Sequence, residues 1–397
     1  MIGVMSSMTN NGLLQWEESG QTHLSQWHSE NGIAPHKRVV LVDDTLTADV
    51  AYRMACEGTA MLWKSDFQNA RQLLQALASM VDRPPKKIKR IKENSQTVEK
   101  SALDRFNLYR LAQSQRARIL GMLLIQIDAD HRIPLRRAPE VSQACIEAYG
   151  VTNEPYVISL RELLGVISAH EWHKKGVPIL AGNSEKLIIY PHYGVFSPVR
   201  GEYIELVRNE PLPKVVAEHP IVFDIGVGTG VLSIILAMRG IKQVIATDLD
   251  DRALSCAKEN IDRLNLSPQI QIVKGDLFPA GVAALIVCNP PWLPARPSSS
   301  LEHAVYDPES QMLKGFLNGL KDHLLSDGEG WLILSDLAEH LGLRSRQELL
   351  DWINQAGLKV VGRTETRPIH KKVFDESDPL HAARAAEVTS LWRLAQQ

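Results

Sequence analysis

The sequence predicts an α/β protein whose C-terminal half is a doubly wound sheet of seven strands, preceded by a small α/β domain and a mainly helical segment. Three observations carry that prediction. From Ile221 onward, short apolar runs alternate with helical apolar patterns, the mark of strand–helix–strand units. The first run, Ile221-Val222-Phe223-Asp224-Ile225, opens directly into the glycine turn Gly226-Val227-Gly228-Thr229-Gly230 and then into a helix. The composition, 44% hydrophobic and 23% charged over 397 residues, is that of an ordinary globular chain with room for two or three domains.

The elements follow in order. Residues 1–36 are polar, show no sustained period and are expected to be irregular. Val39 to Val42 reads as a strand, Thr45 to Cys56 as a helix closed by Gly58, Ala60 to Trp63 as a second strand, and Ser65-Asp66 as the cap of a helix reaching Met80. That βαβα unit defines a small α/β domain over 37–100, ending in a linker that begins at Pro84-Pro85. Helices are expected over 102–120, 140–149 and 160–170, so 101–189 reads as a mainly helical bridge to a domain over 190–397. In that last domain the strands are Ile221–Ile225, Val244–Thr247, Ile270–Val273, Ala283–Cys288, Trp331–Ser335, Leu358–Gly362 and a closing antiparallel Ser390–Leu394.

Charge and cysteine usage exclude several function classes. A net charge of -2 removes the simplest electrostatic case for a dedicated nucleic-acid binder. The run Lys86-Lys87-Ile88-Lys89-Arg90-Ile91-Lys92 is a local exception that reads either as a phosphate contact or as a solvated linker. Four scattered cysteines without CxxC spacing indicate neither a zinc site nor a disulfide framework. His170-Glu171-Trp172-His173 spaces its histidines at i and i+3, not the i and i+4 of a zinc helix, so no metal is expected. With no basic-apolar leader and no apolar run near bilayer length, the expected compartment is the cytoplasm.

The glycine turn narrows the ligand. Gly226, Gly228 and Gly230 let the loop turn tightly and approach a ligand where a Cβ would collide. The dinucleotide pattern GxGxxG would put its third glycine at position 231, which is valine here, so a nicotinamide cofactor is disfavoured. Asp248 closes the next strand and is placed to accept the ribose hydroxyls of an adenosine ligand.

Taken together, Asp224-Ile225-Gly226-Val227-Gly228-Thr229-Gly230, Asp248, Asp276 and Asn289-Pro290-Pro291-Trp292 resemble the class I S-adenosylmethionine (SAM) N-methyltransferases with a Rossmann-like sheet. Within these the sequence is similar to release-factor glutamine and ribosomal RNA base methyltransferases, over about residues 190–397. The resemblance implies SAM as cofactor. It implies that Asp224 faces the methionyl ammonium, Asp248 the ribose, and Asp276 with Leu277 the adenine. The Asn289 side-chain oxygen and the Pro290 carbonyl would each accept an N–H of a planar nitrogen, with Pro291 stiffening the loop and Trp292 offering a stacking face. Phe196 and Arg200, in the segment from Pro191, would form a lid, and 294–308 a mobile substrate-facing loop. The acceptor is left between a base of ribosomal or other RNA, toward which Lys86–Lys92, Arg136 and Arg137 lean, and a glutamine of a translation protein. A non-catalytic SAM-binding scaffold is the reading from a different class.

Overall fold

The computed structural model describes residues 12–83, 100–180, 186–198, 201–297, 302, 304–368 and 371–397. The chain forms two compact units, one made of residues 1–100 and 107–171, the other of 101–106 and 172–397. Lys86–Lys92 and Arg200 lie outside the described residues.

The first unit holds a six-stranded sheet in the order β1-β2-β6-β5-β4-β3. Its strands are β1 Leu13–Glu18, β2 Gln21–Trp27, β3 Val39–Val42, β4 Ala60–Trp63, β5 Leu123–Ile127 and β6 Tyr156–Ser159. Between them run α1 Ala48–Cys56, α2 Phe67–Val81, α3 Ala102–Leu120 and α4 Ser142–Tyr149, with α5 Leu160–Lys175 after β6; residues 102–106 of α3 and 172–175 of α5 count with the second unit. Two expectations fail here. The stretch expected to be irregular contains the β1–β2 hairpin, whose turn residues Ser19 and Gly20 have φ of 53° and 76°. That pair of positive φ values suits the twist of a two-residue hairpin turn. The period of two was present: Leu14 and Trp16 are buried while Leu13, Gln15 and Glu17 are exposed. The expected helical bridge also contains β5 and β6, which complete the same sheet as β3 and β4. Leu123-Leu124-Ile125 is a short all-buried run that periodicity cannot separate from helix.

Asp66 caps α2, accepting from the Gln68 N–H at 2.9 Å. Arg137 grips the same carboxylate with two bonds, 2.6 and 2.8 Å, and holds it at about 2. Arg137 is therefore occupied within the fold, and Arg136 leans on the same carboxylate at 3.4 Å.

The second unit begins with the hairpin β7 Val177–Leu180 and β8 Lys186–Ile189, followed by α6 Glu202–Asn209. Its main sheet has seven strands: β9 Ile221–Ile225, β10 Gln243–Asp248, β11 Ile270–Lys274, β12 Ala283–Cys288, β13 Leu324–Ser335, β14 Leu358–Thr366 and β15 Thr389–Gln396. Their order is β11-β10-β9-β12-β13-β15-β14. All pairs are parallel except those of β15 with β13 and β14. The helices are α7 Val231–Met238, α8 Asp251–Arg263, α9 Gln311–His323, α10 Leu337–His340, α11 Arg346–Gln355 and α12 His381–Ala386.

Alternation along the strands builds two cores. Val222, Val287, Trp331 and Ile333 pack with α6, α7 and α8, while Phe223, Ile225, Ile286 and Leu332 pack with α9 and α11. Covered on both faces, β12 reads as an unbroken apolar run and is buried at every position. Among the described residues, no helix is long and apolar enough to cross a membrane.

Candidate active site

The topology decides where a ligand can sit. After β9 the chain moves to β10 on one side, and β12 later lands on the other side of β9. This reversal opens a crevice at the carboxyl ends of the two strands, the place where open α/β sheets bind ligands. Ile225, the last residue of β9, pairs with Cys288, the last residue of β12. Gly226 and Asn289, each one residue further, therefore leave the sheet side by side.

The glycine turn is built by backbone demand. Gly226, Gly228 and Gly230 have φ of 79°, 52° and 83°. A Cβ at Gly230 would stand 3.3 Å from the Ala257 Cα on α8, and one at Gly226 would stand 2.9 Å from the Met312 Cε on α9. The loop is fastened to β10 by the amides of Gly226 and Val227, which both donate to the Thr247 carbonyl at 3.0 and 2.9 Å.

Asp224 is 1% exposed, deeper than a residue that simply faces a ligand. Its Oδ2 accepts from the Ser233 hydroxyl on α7 at 2.5 Å, while Oδ1 is buried with no hydrogen-bond partner. Burial pushes this carboxyl up to about 7. A buried acceptor left without a donor costs ~1–3 kcal/mol, so Oδ1 is a group that a cationic ligand would satisfy.

Asp248 is half-buried at the tip of β10, and burial raises its pKa. Its two oxygens accept from the Gly228 N–H at 3.1 Å and the Asp250 N–H at 3.0 Å. Each oxygen keeps a lone pair for a further donor such as a ribose hydroxyl. Asp276 is exposed beyond β11. Leu277 has a φ of 63°, its carbonyl accepts from the Thr247 hydroxyl, and its side chain packs over Gly315 of α9.

At the end of β12, Asn289, Pro291 and Trp292 are half-buried and Pro290 is buried. The Trp292 indole N–H donates to the Asn289 Oδ1 at 2.9 Å. Trp292 also packs against both cores, so its ring is a brace as much as an open stacking face. The stretch after it is tied at its base: Leu293 N–H donates to the Val305 carbonyl at 3.0 Å, and Asp307 N–H to the Leu293 carbonyl at 2.8 Å. Asp307 then caps α9 by accepting the Met312 and Leu313 amides at 3.0 and 3.1 Å. Residues 298–301 and 303 of the expected loop lie outside the described residues. Phe196 is half-buried just after the turn at Tyr193-Gly194, while its expected companion Arg200 is not described.

One positioning residue escaped the sequence reading. Asn260 of α8, 1% exposed, accepts the Tyr190 N–H at 2.7 Å and donates to the carbonyls of Tyr190 and Thr229, both at 3.1 Å. It thereby links the start of the expected lid segment to the glycine turn. An asparagine on the face that α8 otherwise buries with Ala253, Cys256, Ala257 and Ile261 was the available signal.

Residues 210–290 match the family model for ribosomal protein L11 methyltransferase (PrmA). That span runs from the end of α6 through the glycine turn and Asp248 to Asn289-Pro290. Curated proteins of the same name are similar: one from Alkaliphilus metalliredigens (strain QYMF) is 26% identical over 46% of this chain and 58% of its own length. Another from Clostridium perfringens (strain SM101 / Type A) is 32% identical over 30% of this chain and 44% of its own. The chain thus spans about half the length of the curated relatives it matches. The crystal structure of the ribosomal protein L11 methylase from Lactobacillus delbrueckii subsp. bulgaricus is 19% identical, with 49% of this chain and 74% of that one covered and a TM-score of 0.32.

Proposed function

We propose that the second unit is a SAM-dependent methyltransferase acting on a nitrogen of a ribosomal protein. The observation that carries this reading is the pairing of Ile225 with Cys288, which brings the glycine turn and the Asn289-Pro290 acceptor pair to neighbouring strand ends.

The residues present suit SAM. Asp224 has an unpartnered buried oxygen for a cation, the turn carries no side chain at 226, 228 and 230, and Asp248 keeps lone pairs for a ribose. When bound, SAM supplies an electrophilic methyl group on a sulfonium. The chain's own work is orientation. Asn289 Oδ1 and the Pro290 carbonyl accept the N–H groups of the acceptor and hold its lone pair in one direction. Trp292 fixes the Asn289 oxygen before the acceptor arrives, so little reorganisation accompanies the reaction. Asp276 and Leu277 would meet the adenine, and Phe196 with Arg200 would cover the site.

A protein acceptor is favoured over an RNA base on two grounds. The relatives that match over this region are named for a ribosomal protein. The charge of Arg137, counted toward RNA, is offset by the Asp66 carboxylate beside it.

The test is transfer of tritiated methyl from SAM to purified ribosomal subunits, followed by separate protease and RNase digestion. Label that survives RNase and is lost to protease is expected. Label lost to RNase would move the acceptor to RNA, and no label in either fraction, with SAM still bound, would leave a SAM-binding scaffold.

A further inference from the structure

We propose that His173, His192 and Glu259 form a binding site for a divalent transition-metal ion, zinc being the metal their chemistry suits best. The site is independent of the methyl-transfer reading. Its members come from three separate places in the second unit: the last turn of α5, the segment after β8, and the middle of α8. His173 Nε2 lies 3.1 Å from Glu259 Oε1, and His192 Nε2 lies 2.7 Å from Glu259 Oε2. The two rings meet edge to face with centroids 4.9 Å apart. All the donor atoms fall within 4.8 Å of one another, the only such group among the described residues.

Those separations are close to what a tetrahedral ion asks for. Zinc takes histidine nitrogen at about 2.0–2.1 Å and carboxylate oxygen at a similar distance, which sets neighbouring ligand atoms roughly 3.3 Å apart. Small side-chain rotations would open the present hydrogen-bonded contacts to that spacing. The ion takes the place of the hydrogen on each Nε2, which a neutral imidazole carries on Nδ1 instead and an imidazolium releases to solvent. The three side chains are 17%, 25% and 29% exposed, enough for an ion to enter and keep a water as fourth ligand.

The surroundings fit a ligating carboxylate. Arg263 donates to Glu259 Oε1 at 2.9 and 2.6 Å and stacks on Tyr190 at 4.1 Å, fixing the carboxylate from outside as outer-shell partners of metal sites do. Two imidazoles with one carboxylate select zinc and its neighbours over magnesium and calcium, which prefer all-oxygen sites. A bound ion would join residues 173, 192 and 259 and clamp the segment leading to Phe196 onto α8.

The test is calorimetric titration of the full chain with ZnCl2, alongside thermal melting with and without the ion and a parallel MgCl2 arm. One equivalent of zinc, a raised Tm and no response to magnesium are expected, with both zinc effects lost in His173→Ala/His192→Ala and in the milder His192→Gln. Absorbance with CoCl2 should show a tetrahedral visible band without thiolate charge transfer. No zinc binding, equal binding by the variants while their metal-free melting is unchanged, or a thiolate band would overturn the proposal. None of these readouts depends on methyl transfer.

Discussion

The Trp292 indole nitrogen holds the Asn289 side-chain oxygen at 2.9 Å, so the residue proposed to grip the acceptor is itself gripped. The bond uses one of two lone pairs on that oxygen and leaves the other for a guest. It also ties the acceptor pair to a ring wedged between both cores of the unit.

Trp292→Phe keeps an aromatic ring between the two cores, a smaller one, and removes the donor. Loss of a hydrogen bond worth about 1 kcal/mol predicts a fall in kcat of about five-fold, with KM for SAM unchanged. Asn289→Ala removes the acceptor itself and should cost ~10²–10³ in kcat, the range seen when one preorganised transition-state contact is deleted. Steady-state kinetics of the two variants side by side checks the ordering.

Asp224 predicts a pH dependence of stability. Its carboxyl titrates near 7 in the fold because it is buried, against an ordinary value of 3.8. Between those values the folded state holds a proton that the unfolded state has released, so stability falls as pH rises from about 4 to about 7 and is flat beyond. The span corresponds to on the order of 4 kcal/mol. Urea midpoints at pH 5 and pH 8 should differ in the parent and converge in Asp224→Asn.

Gly228 and Gly230 should respond differently to alanine. Both have positive φ, which costs a side chain ~1–2 kcal/mol. Only Gly230 adds a collision, since its Cβ would press on the Ala257 backbone while that of Gly228 meets nothing within 4 Å. Thermal melts should therefore rank Gly230→Ala below Gly228→Ala, with SAM affinity falling further in the former.

Asn260→Ala strips the Tyr190 amide of its acceptor and two carbonyls of a donor. Each buried group left unpaired costs ~1–3 kcal/mol. A large drop in the urea midpoint is expected, together with weaker SAM binding by calorimetry, because the Thr229 end of the glycine turn loses its tie.

That the glycine turn, Asp248 and Asn289-Pro290-Pro291-Trp292 stand at strand ends was legible in the sequence because each adjoins a strand announced by its own apolar run. Local pattern sufficed there, and the observed seven-stranded order places them together. What local pattern cannot show is which distant group a polar residue will meet. Arg137 remains exposed but is paired with Asp66, a partner 71 residues away, and Asn260 looked like any polar helix residue. The hairpin over 13–27 and the strands at 123–127 and 156–159 were lost for a related reason: short runs become strands only when a neighbour is available to pair. Asp307, read as loop, became a helix cap through contacts a few residues downstream.

The two prolines that follow Asn289 carry no amide hydrogen. At the lip of the crevice the main chain therefore offers oxygen lone pairs over two consecutive residues and nothing to donate. An alkoxide, thiolate or carboxylate nucleophile arriving there would find repulsion from those oxygens, whereas an NH-bearing group would be welcomed. Chemoselectivity among nucleophiles would thus be imposed by what the backbone lacks at residues 290 and 291.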